Sequence, residues 1–122
     1  MSERAPCRFA VLHHSGVEPD HYDLLFESSP GSALVTFRLE QFPIARDQFV
    51  TKLRDHRRMY LDYEGPVPGD RGRVDRSADG SLVVDLTPTR ITLMHPDGRI
   101  WVTLEPEDSN PSSERWWASL AR

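Results

Sequence analysis

Apolar and polar residues alternate along most of this chain with a period of two. From His21 to Glu27, Tyr22, Leu24 and Phe26 share one face, while His21, Asp23, Leu25 and Glu27 share the other, as a half-buried strand requires. Residues 33–39 alternate likewise, with Ala33, Val35, Phe37 and Leu39 facing inward, and residues 59–63 put Met59, Leu61 and Tyr63 on one side. Residues 73–105 read as hairpins. Ser77-Ala78-Asp79-Gly80 predicts a turn before residues 82–86, and Pro96-Asp97-Gly98 predicts another between 91–94 and 100–104, because glycine accepts the positive φ of such turns. Helix signals are sparse: residues 47–53 predict one or two turns capped by Asp47, and residues 113–117 the start of a short C-terminal helix. Loops fall at 64–69 and 106–113, and no repeat is present. The expectation is a mainly β fold: a compact β-barrel of short antiparallel strands with one or two short helices.

Length and charge narrow the function. The 122 residues suit a single domain over 1–122. Fifteen Lys+Arg against nineteen Asp+Glu (15 − 19 = −4) argues against coating nucleic acid by bulk charge, though not against a local basic site. A single cysteine excludes a disulfide framework and a cysteine-rich zinc site, so any metal must rest on the five histidines and the carboxylates. The start, Met1 to Pro6, has no apolar core of signal-peptide length, and the apolar run at 9–12 is too short to span a bilayer. A cytoplasmic protein with no membrane contact is expected.

His21-Tyr22-Asp23 is the strongest chemical signal. Residues i and i+2 of a strand project to the same face about 6.5–7 Å apart, so an imidazole and a carboxylate can converge on one ion. His14 follows the apolar run at 9–12 and joins them if that run pairs with residues 22–26. Two histidines and one aspartate leave positions open on a divalent metal, as catalysis needs. His-x-Asp also occurs as a plain surface hydrogen bond, and that reading stays open. His13 reads as a solvated neighbour and His95 as a turn residue. A second cluster, residues 52–60, carries Lys52, Arg54, Arg57 and Arg58 against Asp55, locally +3. Strand parity there would put His56, Arg58 and Tyr60 on one side, a set able to neutralise and hydrogen-bond a phosphate. Arg71, Arg73 and Arg76 form a further basic strip.

These elements together resemble the 3′-phosphoesterase domain family of bacterial DNA ligase D. The resemblance rests on Phe9-Ala10-Val11-Leu12-His13-His14, His21-Tyr22-Asp23 with Glu27, Asp55-His56, Tyr60-Leu61-Asp62-Tyr63-Glu64-Gly65 and Pro68-Gly69. It runs in order over residues 9–72 and fades over the hairpins at 73–105 and the tail at 106–122. It implies a β-barrel that removes a 3′-terminal ribonucleotide or 3′-phosphate from DNA or RNA–DNA ends, alongside separate ligase and polymerase repair proteins. It further implies a divalent metal, Mn²⁺ foremost with Zn²⁺ as another candidate, on His14, His21 and Asp23, with His56 and Tyr60 handling the phosphate.

The chain departs from that family in several places. Leu25 stands where the family has Arg, residues 37–41 lack the family's Lys, and Arg54 replaces the Glu before Asp-His. A long N-terminal arm is not expected before Phe9. Arg38 is expected to replace one lost cation, and Arg38, Arg54 and Arg58 are the expected phosphate-binding residues. Two alternatives follow. One is a catalytically degraded module of the same fold that binds nucleic-acid ends or phosphate. The other is a small oxygenase whose His-x-Asp is completed by His56 or His95.

Overall fold

The computed structural model describes residues 5–121. The stretch Met1 to Arg4, read above for targeting signals, and Arg122 lie outside the described residues. The strands are β1 (Cys7–Ser15), β2 (His21–Glu27), β3 (Leu34–Leu39), β4 (Gln48–His56), β5 (Gly65–Pro66), β6 (Arg73–Thr87), β7 (Arg90–Met94), β8 (Ile100–Pro106) and β9 (Arg115–Leu120). Their order, β1-β2-β3-β4-β9-β8-β7-β6, closes through a β1–β6 ladder into an eight-stranded antiparallel barrel. The two-residue β5 flanks the first part of β6. Closure leaves no long unpaired edge among the described residues. The described residues form no α-helix, only 3₁₀ turns at Arg58–Leu61 and Glu107–Ser109, and no helix is long and apolar enough to cross a membrane.

The mainly β expectation is therefore met, but several local ones are not: Ala33, expected to face inward, is exposed ahead of β3, and β2, expected half-buried, is buried on both faces. Residues 48–53 lie in β4 and 115–117 in β9, with no helix at either place: the two strands pair from Gln48↔Ala118 to Thr51↔Arg115. A helix of one or two turns is marginal alone, whereas the ladder pairs both backbones and sends Val50, Trp116 and Ala118 into the core. Asp47, expected to cap a helix, accepts the Leu120 amide at 3.0 Å instead. Residues 59–63 are not a strand. Only Leu61 of the three apolar residues expected to share a face is buried, and the chain turns as 3₁₀ to seat it. Nor is Ser77–Gly80 a turn, because β6 runs through it opposite β1, with Phe9 paired to Gly80. Gly80 has φ +147°, and a Cβ there would lie 3.3 Å from the Phe9 ring, so glycine admits the ring. The Pro96–Gly98 turn does form, with the Gly98 amide donating to the His95 carbonyl at 2.9 Å.

Two apolar clusters organise the molecule. The barrel interior holds Val11, Leu24, Phe26, Phe37, Leu39, Leu93, Val102, Leu104 and Trp116 among others. A smaller cluster, Ala10, Leu12, Leu25, Leu34, Leu61 and Val74, lies on the outer face of β1, β2, β3 and β6, roofed in part by the 58–67 segment. Strand β2 is thus buried on both faces, which is why its polar residues His21, Asp23 and Glu27 are buried too. They share the outer face with Leu25.

Candidate metal centre

Ladder register builds the site. His14 of β1 pairs directly with His21 of β2, and Leu12 with Asp23, so the two imidazoles and the carboxylate share the outer face at one end of the β1–β2 pair. One ligand-capable atom from each lies within 4.8 Å of the others. Asp23 Oδ2 is 3.9 Å from His14 Nδ1, and Asp23 Oδ1 is 3.6 Å from His21 Nε2. His21 and Asp23 are buried and His14 is half-buried.

Each imidazole is oriented from behind. The Pro19 carbonyl lies 3.0 Å from His21 Nδ1, and the Arg71 carbonyl lies 2.7 Å from His14 Nε2. A carbonyl only accepts, so these nitrogens carry the hydrogen, and His21 Nε2 and His14 Nδ1 turn toward Asp23. A backbone carbonyl behind a ring nitrogen is the usual arrangement of a metal-ligating histidine. His21 Nε2 and Asp23 Oδ1 are buried with no hydrogen-bond partner. Buried polar atoms are rarely left so, and either a proton on His21 Nε2 or a cation held between the two atoms would satisfy them. The donor set fits a divalent ion. The Arg71 carbonyl is held in place by Gly72, whose φ is +74° and whose added Cβ would meet the Ser15 carbonyl oxygen at 2.0 Å.

The triad lies in a cleft of about 360 Å³ that Arg38, Leu53, Arg54, His56, Tyr60 and Arg71 also line. Arg38 is the register partner of Asp23, and its Nε has no hydrogen-bond partner. His56 arrives through a β-bulge: between the pairs Thr36↔Leu53 and Leu34↔His56, three steps along β4 oppose two along β3. The extra residue turns His56 onto the outer face that Leu53 occupies. The His56 ring packs edge-on to Tyr60 at 5.7 Å, and its Nδ1 lies 2.9 Å from the Arg54 carbonyl, leaving Nε2 available.

The structure thus brings together His14, His21, Asp23, Arg38, Arg54, His56 and Tyr60. Arg58 does not join them. Its guanidinium bonds Glu27 Oε2 at 2.5 Å and the Ser32 carbonyl at 2.8 Å, which fixes the start of the 3₁₀ turn carrying Tyr60. Strand parity from His56 does not hold past Arg57, so Arg58 and Tyr60 diverge. His13 is a neighbour, paired with Asp20 at 3.1 Å and stacked on Tyr22. His95 lies apart, in a hollow with Phe9, Phe42 and Trp101. Arg71 belongs to the site through its backbone, a role that no side-chain pattern announces.

No protein-family model matches the chain. Nor does any curated protein.

Proposed function

We propose that this protein is a metal-dependent phosphoesterase that processes 3′ ends of DNA or RNA–DNA. The observation carrying this reading is the donor set: His14 Nδ1, His21 Nε2 and an Asp23 oxygen, each imidazole backed by a carbonyl, at the base of a cleft walled by Arg38, Arg54, His56 and Tyr60. The substrate class rests on the resemblance to the 3′-phosphoesterase domain family. His14, His21 and Asp23 would hold a divalent ion, Mn²⁺ by that resemblance, which would supply Lewis acidity toward a phosphate oxygen and an attacking water.

The chain's own groups do the rest. Arg38 and Arg54 neutralise and orient the phosphate in a site that an overall charge of −4 does not forbid, since an end needs few contacts. His56, with Nδ1 tied to the Arg54 carbonyl, presents Nε2 and, as imidazolium, gives its proton to the leaving oxygen there. Tyr60 donates its hydroxyl hydrogen to a phosphoryl oxygen. Partial burial of Arg38, His56 and Tyr60 strengthens their contacts, while Arg54 meets the phosphate from the exposed rim.

The test offers purified protein and Mn²⁺ a primer–template ending in a 3′-phosphate or one 3′-ribonucleotide. Release of phosphate or nucleoside by the wild type, abolished in His21→Ala, is the expected result. No release from either end under any divalent ion refutes the enzyme reading. One observation favours a second reading, a module that binds such ends without turnover: Leu25 is fully buried in the outer cluster and contributes no cation. Tight end binding with no release is its signature.

A further inference from the structure

The cleft does not stop at Arg38. A second hollow, of about 580 Å³, shares His21 and Arg38 with it and continues over Thr51, Phe49 and Arg115. Register explains the continuity. Asp23 pairs with Arg38, Arg38 with Thr51, and Thr51 with Arg115, one row across β2, β3, β4 and β9 on the outer face. At about 4.8 Å per strand the row spans roughly 14 Å. The next outer pair along β4 and β9 is Phe49↔Trp117.

Phe49 and Trp117 are 46% and 37% exposed, and among the described residues they are the two exposed large apolar side chains that are register partners. Their rings meet edge to face at 4.6 Å, and the Arg115 guanidinium lies 3.6 Å over the Phe49 ring. We propose that Phe49, Trp117 and Arg115 form a stacking platform for the bases of a single-stranded nucleic acid whose 3′ end lies in the His14–His21–Asp23 cleft. The direction of the strand rests on the phosphoesterase reading; the platform itself does not. Rings and a guanidinium plane are what bases stack on, and such stacking tolerates any sequence. Asp20, Glu40 and Glu114 also line this hollow. They disfavour a grip on phosphates here, so the bases are held by their faces, and the backbone charge is met at Arg38 and Arg54.

The experiment measures binding of a 5′-labelled (dT)₈ with a 3′-hydroxyl, without divalent ion, beside an octamer of abasic sites carrying the same phosphates. Wild-type protein should prefer (dT)₈. W117A should lose roughly tenfold or more in (dT)₈ affinity at low and high salt alike, with abasic binding unmoved, while W117Y restores (dT)₈ binding. F49L, which keeps bulk but loses the ring, should repeat the loss if W117A fails to fold. Equal binding of the two octamers by wild type, or no change in W117A and F49L, overturns the platform. Protein that binds (dT)₈ through Trp117 yet releases no phosphate keeps the platform and refutes the enzyme. Protein that releases phosphate yet treats both octamers alike keeps the enzyme and refutes the platform.

Discussion

Two carboxylates on one face of β2 have opposite surroundings. Glu27 is buried, and its oxygens accept from the Arg8 amide at 2.6 Å, the Gly31 amide at 2.9 Å and the Arg58 guanidinium at 2.5 Å. Asp23, four residues earlier, is equally buried, but its Oδ1 has no donor and faces His21 Nε2, which has none either. Burial penalises the Glu27 charge, yet the two amides and Arg58 outweigh it and hold this carboxyl below the usual range. A carboxylate surrounded by donors is a fastening: Glu27 ties β1, the 28–32 turn and the 58–61 turn to β2. A carboxylate whose inner oxygen has no donor and faces two imidazoles could hold a positive charge, as the proposed metal site requires.

The widest test of this contrast is stability. Glu27→Ala leaves two amides and the exposed Arg58 guanidinium without their acceptor and should cost about 3 kcal/mol in urea unfolding. Because the Glu27 carboxyl is lowered in the folded state, its contribution is fully present above its unfolded pKa and is lost as pH falls through the folded value. Stability should therefore fall in the acid range in wild type, and the fall should flatten in Glu27→Gln. An identical acid profile for the two would remove Glu27 from its fastening role.

Added metal should act only at the other end of the strand. Mn²⁺ at about a hundred times its Kd should stabilise wild type by about 2.7 kcal/mol. No such gain is expected in His21→Ala or Asp23→Ala. Stabilisation that survives both substitutions places the ion elsewhere.

Next in size is Arg38→Ala, which should weaken binding of a 3′-phosphorylated end roughly tenfold, the weight of one charge-assisted contact. Unchanged binding takes Arg38 out of the phosphate site. Smallest is Asp23→Asn without metal. Since Asp23 Oδ1 has no donor to lose, stability should move by less than about 1 kcal/mol. A cost comparable to Glu27→Ala would mean that Asp23 is a second fastening.

How far all this could be read beforehand differs by residue. The two faces read for β2, Tyr22, Leu24 and Phe26 against His21, Asp23 and Leu25, are correct, but both are buried where a half-buried strand was expected, and His14 joins because pairing β1 to β2 aligns it with His21. His56 and Tyr60 do reach the cleft, but by a bulge and a 3₁₀ turn in place of a continuous strand. Arg58 could not be assigned from spacing, since its long side chain follows the buried Glu27 charge. Arg71 acts through a carbonyl, which every residue has. The platform was hidden because 113–117 carries a helix-start signal, and only pairing with β4 puts Trp116 inside and Trp117 outside.

The sequence by itself determined the β class, the two faces of β2 and the His-x-Asp spacing, because side-chain alternation is a property of a single strand. Tertiary structure alone decided the rest. It set which strands become neighbours, where bulges reverse a face, and which buried charge receives donors. Those depend on contacts between residues far apart in the chain, and most of this barrel's contacts are of that kind.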